Sequence, residues 1–167
     1  MKFLSALGAL ITGCASPKPL VPDRAGTSIP LTYPALLIGT EVPTLNVYGS
    51  EMELTTTQVS TGLSYPVQQI IDSSGNYYVV SRSAPFGKVK SVWLDMGTTP
   101  YRVFLELKLK KHVNLEQARK MVLEAVRSPR AGWVKDPVAL QKAVRWVQSY
   151  RSIGDLIAGC RTDWPWR

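Results

Sequence analysis

The sequence predicts an α+β fold: an antiparallel sheet of about 4–6 strands, packed by two C-terminal helices and a short third turn. Three observations predict it. Tyr101, Val103, Leu105, Leu107 and Leu109 alternate with mostly polar neighbours, the period of a half-buried strand. After Asn114 the period changes, and Leu115, Ala118, Val122, Ala125 and Val126 recur at helical spacing. Every strand-like segment precedes every helix-like one, which disfavours alternating strand–helix units.

Taken in order, the first element is Ala35-Leu36-Leu37-Ile38, an apolar run between prolines that stops at Gly39 and reads as a strand or a single turn. Leu45–Tyr48 alternates weakly. Glu51 to Ser60 places Met52, Leu54 and Thr56 opposite Thr55 and Thr57, a threonine-rich alternation that predicts a strand with one wet face. Val67–Asp72 and Tyr77–Ser81 form a hairpin about Ser73-Ser74-Gly75-Asn76, whose residues tolerate positive φ. A calcium-loop reading of that turn lacks the acidic ladder such loops need. Val89–Met96 is a further strand, and Tyr101–Val113 is the longest and most central.

The first helix starts at Asn114, with Gln117 positioned to close a capping box, and ends at Ser128-Pro129. Glu116 and Lys120 are expected to pair on its outer face. Asp136-Pro137 supplies a cap and a first-turn proline for the second helix. Leu140, Ala143, Val144 and Val147 make its inner stripe, joined by Trp146 or Tyr150. Ile153–Ile157 is the short third turn.

The N-terminal segment follows a different logic. Lys2 precedes an apolar run from Phe3 to Ile11, ending in Ile11-Thr12-Gly13-Cys14. Such a run reads as an export signal and is far below the roughly 20 residues that span a bilayer. Ile11, Thr12 and Gly13 before Cys14 resemble the lipobox of bacterial lipoprotein precursors. The resemblance covers residues 1–14. It implies cleavage between Gly13 and Cys14, with diacylglycerol on the Cys14 thiol and an acyl chain on its new amino group. Ala15, rather than aspartate, then implies sorting to the periplasmic face of the outer membrane. The expected organisation is a signal peptide over 1–13, a lipid-anchored Pro-rich tether over 14–30, and one globular domain over 31–167. A fully extended 16-residue tether reaches about 50 Å; the alternative is that part of it lies along the domain as an ordered arm.

The chain carries +8 formal charge, unevenly. Residues 15–83 hold three basic and five acidic side chains, whereas residues 84–167 hold sixteen and seven. An anionic partner is the functional reading of that asymmetry, and a solvated face is the plain one. With Cys14 lipidated, Cys160 has no partner for a disulfide and is expected to pack as a small hydrophobe. Pairing between chains is the alternative.

Catalytic patterns are sparse. His112 is the sole histidine, no cysteine pair has ligand spacing, and no metal site or cofactor is expected. Asp95 and Glu106 are the carboxylates that a hydrolase would need as a pair. A salt bridge from Glu106 to Arg102 or Lys108 is the simpler account. The candidate anionic-partner surface is Arg102, Phe104, Lys108, Lys110 and Lys111 on the long strand, near Trp93. It continues as Arg119, Lys120 and Arg127 on the first helix. Trp164 and Trp166, flanking Pro165, are candidates for protein contact or for docking on the domain itself.

These features predict a non-enzymatic envelope lipoprotein, held to the membrane through Cys14. It acts as a binding, adaptor or assembly subunit for an envelope protein or an anionic envelope polymer. An immunity-type inhibitor of an envelope-acting toxin is the alternative, followed by a carboxylate-dependent hydrolase. No small-molecule substrate is evident. Export excludes nucleic acid, which enters only if the lipobox is false and the protein is cytosolic.

Overall fold

A computed structural model of the chain describes residues 24–39, 44–58, 68–86, 100–128 and 136–162. The lipobox, the tether before residue 24, the strand expected over Val89–Met96 with Trp93 and Asp95, and the Trp164–Trp166 tail lie outside them. The elements are β1 (Gly26–Thr27), β2 (Ala35–Gly39), β3 (Leu45–Tyr48), α1 (Glu51–Thr55), β4 (Thr56–Gln58), β5 (Gln68–Asp72), β6 (Asn76–Pro85), β7 (Pro100–His112), α2 (Leu115–Arg127), α3 (Pro137–Ser149) and α4 (Ile153–Thr162). The fold is α+β. Sheet order is β1-β7-β6-β5-β2-β3, with β4 also on β7. The pairs are antiparallel except β1 on β7, which is parallel.

The connection through α1 reveals the shape. β3 lies at one end of the sheet, yet α1 follows it after two residues and leads directly into β4 on β7. In a flat sheet, four strand spacings of about 4.8 Å would separate β3 from β7 by roughly 19 Å. Five helical residues rise only about 7.5 Å. The sheet is therefore curled, and α1 packs against β1, β3 and β7 across the gap between its ends.

Curling gives the sheet two buried faces. Inside lie Ala35, Leu37, Ile70, Tyr78, Val80, Val103, Leu105 and Leu107, closed by Leu54 of α1. On the outer face, Leu36, Ile38 and Ile71 pack against α2, α3 and α4 through Val122, Val126, Val147, Leu156 and Ile157. This explains why β2 reads as an unbroken apolar run: its alternate residues enter different cores. The helices leave the outer side of β6 and β7 near Arg82, Glu106 and Lys108 accessible to solvent.

The hairpin forms as expected, with a buried carboxylate organising it. Asp72, 1% exposed, accepts from the backbone N–H groups of Ser74 (3.1 Å) and Asn76 (2.9 Å) and from the Asn76 amide (3.2 Å). Longer contacts come from the Tyr78 hydroxyl and the Thr32 N–H, both 3.4 Å. Gly75 has φ +84°, and a Cβ there would lie 2.6 Å from the Val113 carbonyl oxygen. Only glycine satisfies both demands.

Four expectations are corrected. The strand expected over Glu51–Ser60 begins with α1, because Ser50 caps the Glu53 N–H and Glu53 accepts from Gly49 at 2.6 Å. Together these two bonds outweigh the threonine alternation until Thr56, where β4 starts. For residues 24–30 the expected tether gives way to its alternative, an ordered arm along the domain. Residues 24–30 lie along the sheet, with Gly26–Thr27 paired to Phe104–Leu105 and Ser28 bonded to Leu107 N–H at 2.8 Å. The short turn over Ile153–Ile157 is a ten-residue helix reaching Thr162. Ser152 caps it by accepting from the Asp155 N–H. Gly159 lies inside it, where the Tyr150 hydroxyl occupies the space a Cβ would take. Finally, Glu116 pairs with Arg119 and Lys120 with Glu124, so the expected Glu116–Lys120 pair is replaced by two neighbours on the same helix.

Candidate functional site

The basic residues singled out in the sequence do not form one ladder. They divide among three places. Arg102 and Phe104 sit at the gap spanned by α1. Arg102 donates to the Thr55 hydroxyl at 3.1 Å, and Phe104 is half-buried between Ala84 of β6 and Gly26 of β1. Nearby, Glu51 accepts from both the backbone N–H and the hydroxyl of Thr27 at 2.9 Å. Its carboxyl is held below the usual range, first by the Thr27 N–H, against the opposing effect of burial, and also by Arg24 and Arg102. Tyr33 is pushed up to about 12, chiefly by burial and secondarily by Glu51. Arg102 therefore belongs to the charge cluster that fastens α1 and β1.

The second place is the end of β7. Lys108, Leu109, Lys110, Lys111 and His112 are all exposed, Leu109 at 55%. The alternation assigns Leu109 to the core, and it does stand opposite buried Tyr78. The correction arises from its cover: β1 and Ser28 reach only as far as Leu107, so Leu109 projects past them. A bulge between Tyr77 and Tyr78 leaves Lys110 without a cross-strand partner, and Lys111 lies over the Tyr77 ring, 6.0 Å from its centroid. Among the described residues, Lys108, Lys110 and Lys111 make no ion pair. Glu106 pairs across the sheet with Arg82 at 3.9 Å, rather than with Arg102 or Lys108.

The third place is α2. Arg119 is structural: its guanidinium donates to the carbonyls of Gln148 (3.0 Å) and Tyr150 at the end of α3, and it pairs with Glu116. A cation closing the last carbonyls of a helix is favourable for both hydrogen bonding and the helix dipole. Lys120 is held by Glu124 at 3.9 Å on the solvent face. Arg127 lines a groove of about 390 Å³ with Leu140, Gln141, Val144 and Arg145 of α3.

Comparison with family models, with curated proteins and with solved structures finds no match to this chain. The surface must be read from its own chemistry.

Sequence reasoning overlooked Gln141 and Arg145. Their signal is a second helical stripe, Leu140-Gln141 and Val144-Arg145, one turn apart and beside the core stripe of Ala143 and Val147. Val144, expected inside, lines the groove instead. Cys160 is buried in the outer core, and burial pushes its thiol up to about 12. Among the described residues there is no cluster of three metal-ligating side chains, and no helix long and apolar enough to cross a membrane.

Proposed function

We propose that this protein is a lipid-anchored envelope subunit that binds an anionic partner through the end of β7 and performs no catalysis itself. The attachment rests on the resemblance of Ile11-Thr12-Gly13-Cys14 to a lipobox, and Ala15 favours the periplasmic face of the outer membrane. The observation that carries the binding reading is the exposed end of β7, where Leu109 emerges on the face of Tyr78 and is flanked along the strand by the exposed Lys108, Lys110 and Lys111. Three strongly hydrated cations steer an anionic surface into contact, while one apolar side chain supplies area that is gained only when the partner seats. The partner is an acidic envelope protein or an anionic envelope polymer.

The test is capture from envelope extract by the chain lacking its signal and lipid, washed across a salt series. Leu109→Ser and the triple change of Lys108, Lys110 and Lys111 to Gln are run alongside. The expected result is a stoichiometric partner lost from both variants. An acidic protein persists at moderate salt, whereas a polyanion held by charge alone is released as the Debye length shortens. Equal capture by all three chains refutes the assignment of this surface. A parallel mass measurement at Cys14 tests the anchor separately.

A further inference from the structure

We propose that the groove between α2 and α3 binds a small anionic amphiphile, a phosphate or carboxylate group carried on an alkyl chain. This goes beyond the binding assigned to β7 and does not depend on lipidation at Cys14.

The volume, about 390 Å³, falls at the small end of pockets that hold organic ligands, typically about 300–1,000 Å³. Its lining is divided by chemistry: Arg127, Arg145 and Gln141 offer donors, Leu140 and Val144 offer aliphatic surface, and among the described residues none that lines it is acidic. Elsewhere on the same helices, Arg119 is engaged by Glu116 and two carbonyls, and Lys120 by Glu124. Arg127 and Arg145 have no ion-pair partner among the described residues. Two guanidinium groups beside one cavity repel each other, and an anion between them turns that repulsion into two attractions. Guanidinium is also the side chain best shaped to grip a phosphate or carboxylate with paired hydrogen bonds.

The apolar half selects what carries the anion. Val144 falls on the inner stripe by sequence, yet it contributes to this wall. Val138, 59% exposed, precedes Gln141 by three residues and Arg145 by seven, so all three share one side of α3. An alkyl chain leaving the groove along that side covers Val138. Inorganic phosphate gains nothing from these methyl groups, and a neutral alkyl ligand leaves the guanidiniums without an anion.

The full chain is titrated by calorimetry with decyl phosphate below its micelle concentration, with decyl maltoside and inorganic phosphate as controls. Decyl phosphate is expected to bind at one saturable site, and each control at least tenfold more weakly. Arg127→Gln and Arg145→Gln should each weaken decyl phosphate by roughly tenfold, the loss of one charge-assisted contact. Val144→Thr, which keeps both charges, should weaken decyl phosphate while leaving the response to inorganic phosphate unchanged. Thermal melts establish that each variant folds. Equal affinity for decyl phosphate in the Arg127→Gln/Arg145→Gln double variant, equal affinity for decyl maltoside, or no saturable site overturns the proposal.

Discussion

Truncating Leu54 tests the idea that a single helical turn holds the two ends of the sheet together. Leu54 is fully buried in the inner core, beneath a helix that touches β1, β3 and β7. Leu54→Ala removes three carbons, a transfer loss of about 2.4 kcal/mol at ~0.8 kcal/mol per methylene. The cavity left behind raises this to about 3–5 kcal/mol, because packed strands on either side relax only partly. Met52 on the same turn is 64% exposed, so Met52→Ala should cost under about 0.5 kcal/mol. Urea unfolding of the two variants and the parent chain measures the contrast, with the midpoint falling for Leu54→Ala and the slope unchanged. The melting temperature should drop by on the order of 10 °C. Amide exchange should also quicken in Thr56–Gln58 and the facing residues of β7, which α1 brings into register. A Leu54→Ala cost below about 1 kcal/mol, or one equal to that of Met52→Ala, refutes the role given to α1.

Two further predictions concern protons. Glu51 is held below its usual range by the Thr27 N–H, so its contribution is present above the unfolded glutamate pKa of about 4.3 and is lost as pH falls through the lower folded value. Glu51→Gln should therefore lower stability at pH 7 and lose that difference in strong acid; a gap that stays constant from pH 7 to pH 2 contradicts the linkage. Cys160, with its thiol pushed up to about 12 by burial, should resist iodoacetamide at pH 8 in the native chain and react once urea unfolds it. Labelling is read on the peptide containing Cys160, and native labelling at the rate of a free thiol defeats the assignment. Because the unfolded thiol ionises near about 8.5 and the folded one does not, stability should also decline as pH rises above that value.

The parts of the fold legible in the sequence are those fixed by local chemistry. Asn114 and Gln117 close the expected capping box, and Asp136 receives the N–H groups of Val138 and Ala139 as expected for a cap followed by proline. Alternation along β7 correctly identifies Val103, Leu105 and Leu107 as core. What it misses depends on closure. A strand pattern records which side a residue faces but not how far its cover extends, and so Leu109 emerges exposed. Likewise, the threonines after Ser50 carry a strand preference, while the turn preceding them is decided by Ser50 and Glu53 together with the need to cross between the sheet's ends. Arg119 shows the same limit for charge: its composition suggests a ligand contact, whereas its position across from the end of α3 makes it a cap.

Lysines on β7 invite a simpler explanation than partner binding. Charged side chains at a strand edge deter unwanted pairing with another chain, and β1 leaves the last residues of β7 uncovered. That explanation accounts for Lys108, Lys110 and Lys111 but not for Leu109. An edge built only to repel gains from a polar residue at this position and loses by exposing more than half of a leucine beside open backbone groups. A strand end that carries its leucine on the face of Tyr78 and cations on the face of Tyr77 instead gives an encounter surface two properties: charge to orient an anionic partner at a distance, and an apolar contact that becomes favourable after desolvation. Leu109→Ser separates the accounts. Edge protection alone predicts unchanged capture and equal or better solubility, whereas the binding surface predicts a partner that still arrives but no longer stays.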